Sequence, residues 1–171
     1  MGYYITAEGT IEMPRSLEAE ALHALKMLNY DHEQKRGGSA RYPSEYDPFE
    51  TRWYSWMPPR YHETVGSIAE VLELVGFEVT KTRAAGLDVY TLVYDNKTGQ
   101  EDVFLNCLAR YAQVTVDVVG EDGARWRWAN AKAGSPLEYH EAIVTYKMTK
   151  TVADMLEQQR EWQRRVEEMY A

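Results

Sequence analysis

The residues able to carry chemistry are few and scattered. Glu121 and Asp122 stand between two glycines in Gly120-Glu121-Asp122-Gly123. Paired carboxylates in a turn can hold a divalent cation or share acid and base roles. A calcium loop needs several more oxygen ligands at regular spacing, and none follow here, so the segment reads as a hairpin turn with solvated acids. The histidines, His23, His32, His62 and His140, form no His-x-x-x-His pair and lack the acidic and cysteine spacing of a zinc deaminase, so they read as structural. The single cysteine, Cys107, has no Cys-x-x-Cys partner and falls on the apolar side of its element, as a core residue would. There is no Gly-x-Ser-x-Gly elbow, no phosphate-binding Gly-x-x-x-x-Gly-Lys loop and no Gly-x-Gly-x-x-Gly. The expectation is therefore a protein that is not an enzyme, with no catalytic residue, no metal ligand and no cofactor.

Two clusters suit recognition rather than catalysis. In Arg125-Trp126-Arg127-Trp128 a strand would put both arginines on one face and both tryptophans on the other. Such arginines can stack bases or hold phosphate, but in an acidic chain they read first as partners of neighbouring carboxylates. The stronger cluster is Arg52-Trp53-Tyr54-x-Trp56-Met57-Pro58-Pro59-Arg60-Tyr61. Tryptophan, tyrosine and arginine dominate interface hot spots, so Arg52, Trp53, Tyr54, Trp56, Arg60 and Tyr61 are the candidate partner-binding residues. The competing reading is that these rings plug the core from a loop. Both can hold, for different rings.

Composition bounds what these clusters can serve. The chain has 171 residues, 44% hydrophobic and 27% charged, enough to bury a real core in one domain. Lys and Arg number 19 against 27 Asp and Glu, a net charge of −8, which disfavours nucleic acid and anionic membrane as partners. No apolar run approaches the 18 residues or so of a membrane span, and the opening MGYYITAEGT has no basic region of the signal-peptide kind. One thiol suits a reducing, cytoplasmic setting.

The elements that must position these residues follow from periodicity. Ile5, Ala7, Gly9, Ile11 and Met13 alternate with Tyr4, Thr6, Glu8, Thr10 and Glu12, the pattern of a half-buried strand stopped by Pro14. Leu17, Ala21, Leu25 and Leu28 predict a helix capped by Ser16. Residues 37–60 hold four of the six prolines among many aromatics and read as an ordered loop with a short strand near Arg52 to Trp56. Val65, Ile68, Leu72 and Val75 predict a second helix, with Ser67 and Glu70 as a capping box and Gly76 as its stop. Strands are expected over Phe77 to Thr82 and Leu87 to Tyr94, a short helix over 100–111, then strands at Gln113 to Val119, Ala124 to Ala131 and Leu137 to Tyr146. The fold class is α+β: a mostly antiparallel sheet, helices packed on one face, and a C-terminal helix.

Residues 147–171 differ from the 1–146 domain. They contain no glycine or proline, and their charges cancel. Val152, Met155, Gln159, Trp162, Val166 and Met169 are spaced three and four apart, an a/d seam with one polar member. The seam can fold back on the sheet or pair with a second copy. The polar Gln159 and the balanced charge favour a homo-oligomer.

The segments MGYYITAEGTIEMP, GQEDVFLNCLARYA and VDVVGEDGARWRW resemble a group of small phage and actinobacterial proteins that begin Met-Gly-Tyr. The resemblance spans about residues 1–30 and 98–146, while the C-terminal helix departs from it. It implies a phage origin and carries no functional residue. The leading expectation is a phage-encoded accessory protein that binds a protein partner, such as a host protein it inhibits, in the host cytoplasm. The alternatives are a small-ligand or nucleotide-binding protein, enzymes included, with an Arg/aromatic pocket, and a structural virion component.

Overall fold

Alternation along the first strand sets the architecture. In the computed structural model, which describes residues 2–38, 47–141 and 150–170, strand β1 (Tyr4–Pro14) buries Ile5, Ala7, Ile11 and Met13 and exposes Thr6, Glu8 and Glu12. A 3-10 turn (Arg15–Leu17) leads into α1 (Glu18–Met27), and two more such turns follow at Leu28–Tyr30 and His32–Gln34. Ser16 was expected to cap α1, but it lies inside the first turn and no side chain caps either element. Pro14 forces that turn before the helix proper begins.

The middle of the chain is a series of short elements. Strand β2 (Gly37–Gly38) pairs antiparallel with β3 (Arg52–Trp53), which follows α2 (Pro48–Thr51). Then come α3 (Tyr61–Thr64) and α4 (Ile68–Val75). Ser67 Oγ accepts from the Glu70 N–H at 3.1 Å, as a capping box requires, while the returning Glu70 carboxylate accepts from Gly66 rather than Ser67. Gly76, at φ +122°, stops α4, and the Phe77 N–H bonds back to the Leu72 carbonyl at 3.0 Å. The remaining elements follow in the predicted order: β4 (Glu78–Ala84), β5 (Leu87–Lys97), α5 (Glu101–Ala109), β6 (Gln113–Gly120), β7 (Arg125–Ala129) and β8 (Glu138–Glu141); burial alternates along β5 and β6, while β4, expected to alternate, is exposed along most of its length. The extension of the last strand over residues 142–146 lies outside the described residues. Helix α6 (Lys150–Met169) completes the order. The chain divides into two compact units, Met1–Glu141 and Ala142–Ala171.

Six strands form one antiparallel sheet in the order β4-β5-β1-β6-β7-β8. β1 is central: Ile11 faces Tyr90 of β5 and Val114 of β6, so the first strand completes its pairing only when residues 87–120 are in place. The inner face meets α1, α4 and α5, whose Leu25, Ile68, Leu72, Phe104 and Leu108 are fully buried. Each such side chain contributes about 1.5–3 kcal/mol of burial. The fold is α+β, as expected, and within Met1–Glu141 the helices α1, α4 and α5 cover one face of the sheet.

An ion-pair network locks α1 to the β4–β5 hairpin. Asp88, fully buried, takes Arg15 Nε at 3.2 Å and Lys81 Nζ at 3.5 Å, while Lys81 also meets Glu18 at 2.7 Å. Burial alone would oppose ionisation of Asp88, but the Arg15 bond and the Lys81 charge outweigh it and hold its carboxyl below the ordinary value.

Gly9 marks the closest backbone approach in the sheet. A Cβ there would lie 2.2 Å from the Thr115 carbonyl oxygen and 2.7 Å from Val116 Cα, so backbone atoms would have to move. Gly9→Ala is expected to lower unfolding free energy in urea by about 1–3 kcal/mol, the usual range for overpacking. Gly123→Ala, which meets no atom within 4 Å but sits at φ +84°, separates the steric cost from the conformational one.

Candidate functional site

The aromatic loop splits into core plugs and surface groups. Tyr54 and Tyr61 are each 1% exposed, so these two of the six candidate partner-binding residues cannot touch a partner in the folded protein. The Tyr61 hydroxyl donates to the Leu25 carbonyl at 2.7 Å, and the Tyr54 hydroxyl lies 3.1 Å from the carbonyls of both Leu28 and Asp31. Leu25 lies in the last turn of α1, whose carbonyls a helix leaves without partners of its own, while the Leu28 carbonyl also accepts from the Asp31 N–H at 3.0 Å. Both rings pack against Phe104 of α5, and burial pushes both phenols well above the ordinary tyrosine value. The loop is therefore fastened to the body from below. Trp53 and Arg52 are half-buried in the β2–β3 pair. Trp56 is 45% exposed, and its indole N–H caps the Val75 carbonyl of α4 at 3.2 Å. Arg60 pairs with Asp47 and, at 3.2 Å, with Glu63.

Above the plugs, one ring organises the surface. Phe49, on α2, has Tyr30 edge-on at 5.2 Å, His32 edge-on at 4.6 Å and His62 tilted at 5.0 Å between centroids. Lys35 Nζ lies 4.9 Å from the ring centre and the Arg60 guanidinium carbon 5.0 Å, within cation–π range. Asp47 holds Phe49 there by accepting its N–H at 3.0 Å, and Pro48 starts the helix. Phe49, Glu50, Pro58, Pro59, Arg60 and Thr64 line an open groove of about 480 Å³. Tyr30, 52% exposed, meets Phe49 at this groove, and Met27, 48% exposed, lies one helical turn before Tyr30 in the chain.

The polar groups beneath this patch are tightly assigned. Lys35 is 6% exposed and donates to His32 Nδ1 at 3.0 Å, so that nitrogen is an acceptor. Asn29, also buried, donates its amide to the Pro59 carbonyl at 3.0 Å and to His62 Nδ1 at 2.6 Å, which is therefore an acceptor as well. Burial first, and then the Lys35 charge, lower the His32 pKa against the pull of Asp47 and Asp31. Burial pushes Lys35 down to about 8.

The remaining candidates resolve into structure. Residues 120–123 form a hairpin turn in which Asp122 accepts from the Ala124 N–H at 3.0 Å and from the Tyr3 hydroxyl. Arg127 grips Asp117 of β6 with two bonds, at 2.7 and 3.1 Å, on the face opposite Trp126 and Trp128. Cys107 is buried, and burial raises its thiol to about 11, far from a reactive thiolate. Among the described residues no group of three or more His, Cys, Asp or Glu lies close enough to hold a metal ion. No helix among them is long and apolar enough to cross a membrane. On α6, Trp162 is 67% and Met169 74% exposed, Gln159 is exposed and Val166 half-buried; the side chains of Val152 and Met155 lie outside the described residues.

Phe49, Tyr30, Met27 and Lys35 are not singled out from the sequence, and His32 reads there only as structural. Phe49 gave a signal, in Asp47-Pro48-Phe49, a capped helix start presenting one large ring. Lys35 and His32 gave none, because their burial is produced by a ring that follows them by more than ten residues. Comparison of the chain with family models, curated proteins and solved structures gives no match in any of the three.

The buried amine makes a pH prediction. Lys35 falls from an ordinary 10.5 to about 8 on folding, so the unfolded chain binds more protons between those values. Its contribution to stability is unfavourable below pH 8 and recovers as pH rises toward 10. Lys35→Met is expected to raise the melting temperature at pH 7 and to remove this rise between pH 8 and 10, as read by thermal melts across that range.

Proposed function

We propose that this protein is a non-enzymatic binding protein that engages a protein partner through the groove beside Phe49. The observation that carries the reading is the exposure of Tyr30 against Phe49, with exposed Met27 one helical turn before it, at a groove lined by Phe49, Pro58, Pro59 and Arg60. A surface that leaves large apolar side chains in water beside an arginine has the composition of an interface hot spot. The net charge of −8 selects a partner with a basic rim, whose apolar anchor enters the groove. Arg60 is the one member of the sequence-derived set that edges it. The resemblance to phage and actinobacterial proteins supports an accessory protein acting on a host protein in the host cytoplasm.

A second reading concerns self-association and rests on a different observation. The seam of α6 leaves Trp162 and Met169 exposed, and an isolated helix of this length is marginal in water without a packing partner. Among the described residues Glu161 pairs within its own helix, with Arg165 at 3.4 Å and Arg164 at 3.9 Å.

Met27→Ala and Tyr30→Ala are each expected to weaken binding of a partner captured from host lysate by about 2 kcal/mol. Their melting temperatures should stay close to that of the wild type. Capture that is indifferent to both substitutions sinks the groove reading, and a small molecule whose thermal stabilisation is lost in Tyr30→Ala would replace it with ligand binding. For α6, light scattering should give a dimer or larger for the full chain and a monomer for Trp162→Glu. A full chain that is monomeric at every concentration measured removes self-association.

A further inference from the structure

We infer that residues 47–64 are held on the end of α1 by a protonation-sensitive latch, in which His32 is a neutral hydrogen-bond acceptor and its protonation releases the Phe49 ring. The latch is a property of the chain itself and does not rest on the partner-binding reading.

The geometry assigns the protons. A lysine ammonium has only donors, so the 3.0 Å contact from Lys35 Nζ requires a bare lone pair on His32 Nδ1. Adding a proton there breaks that bond and sets two positive charges about 3 Å apart in a site where Lys35 is 6% exposed. His62 repeats the arrangement on the other side of Phe49's surroundings, with the Asn29 amide donating to its Nδ1. Phe49 touches both imidazoles, Lys35 and Arg60, so any displacement of His32 is felt at this ring. Tyr54 and Tyr61 fasten the same loop to α1 through neutral hydroxyl bonds, and Lys35 Nζ, 5.6 Å from the Tyr54 ring centre, is a latch group that also meets a plug. The outer layer can open while the plugs stay seated.

Among the described residues, the charges around the imidazole oppose one another. Lys35 and Arg52 oppose protonation of His32, while Asp31 and Asp47 favour it. Asp31 is engaged by Gln34, and Asp47 by Arg60 and the Phe49 N–H. Glu63 faces His62 Nε2 at 3.8 Å and Arg60 at 3.2 Å rather than His32. Burial and Lys35 prevail, which lowers the affinity of His32 for a proton in the closed state relative to the open one. A histidine depressed in the closed state stabilises that state fully above the ordinary value near 6.5, and this stabilisation is lost as pH falls below it.

The test is amide hydrogen exchange on the full chain at pH 7.5 and 5.0, corrected for the intrinsic pH dependence of exchange. Protection of the amides of residues 49–53 is expected to drop roughly tenfold or more at pH 5.0, in the manner of a local opening, while β1, β5 and β6 keep theirs. His32→Gln, whose amide oxygen can still accept from Lys35, should stay folded and show no such drop. Should that variant not fold, histidine ring resonances of the wild type decide: the titration of His32 must coincide with the loss of protection. Unchanged protection at pH 5.0, a drop that persists in His32→Gln, or a drop without His32 titration would each overturn the latch.

Discussion

The constraint on which the rest depends is the position of β1 at the centre of the sheet. Its inner side chains, Ile5, Ala7, Ile11 and Met13, are covered only if β5 and β6 flank it on both sides and α1, α4 and α5 close over them. Both flanking strands come from residues 87–120, so burial of the first strand is a long-range event with a high loop-closure cost. Gly9 belongs to the same constraint, since the backbone of β6 approaches too closely for any side chain there. The Arg15–Asp88–Lys81–Glu18 network sits where β1 hands over to α1, and it ties that junction to the hairpin that must reach it.

Once the sheet and helices are in place, the end of α1 presents carbonyls with no helical partner. The loop after β2 is built to satisfy them. Tyr54 and Tyr61 bring neutral hydroxyls to Leu28, Asp31 and Leu25, and Trp56 does the same for Val75 at the end of α4. A buried carbonyl left unpaired costs about 1–3 kcal/mol, so the three rings at 54, 56 and 61 fasten the stretch that carries Pro58 and Pro59 to the body. Asn130 plays a comparable part between α5 and β6: its amide lies near the carbonyls of Ala109 and Ala112, and its oxygen takes the Val114 N–H at 2.7 Å.

The surface above these plugs differs in kind. Its groups are ionisable or aromatic rather than neutral and buried, and they converge on Phe49. Hydrogen bonds that require a histidine to be neutral depend on pH in a way that tyrosine-to-carbonyl bonds do not over the same range. A layer of neutral caps beneath a layer of titratable contacts lets the outer part of the loop respond to conditions without risk to the core.

Much of this was legible in the residues themselves. Alternation in β1, β5 and β6 and the three-and-four spacing of Ile68, Leu72 and Val75 determined the elements and the inner face, because burial of one face forces that periodicity whatever the topology. Ser67, Glu70 and Gly76 announced the ends of α4 for the same local reason. Ser16 failed as a cap because Pro14 inserted a turn that a helix pattern does not reveal. The rings of residues 53–61 were visible as a cluster, but their division was not. Tyr54 and Tyr61 became core while Trp56 stayed at the surface, because that choice depends on where the carbonyls of α1 and α4 end in space. Lys35, His32 and Phe49 could be joined only by the tertiary structure. Their contacts cross from the turns after α1 to α2, and no local periodicity encodes a meeting between segments whose approach is set by the sheet beneath them.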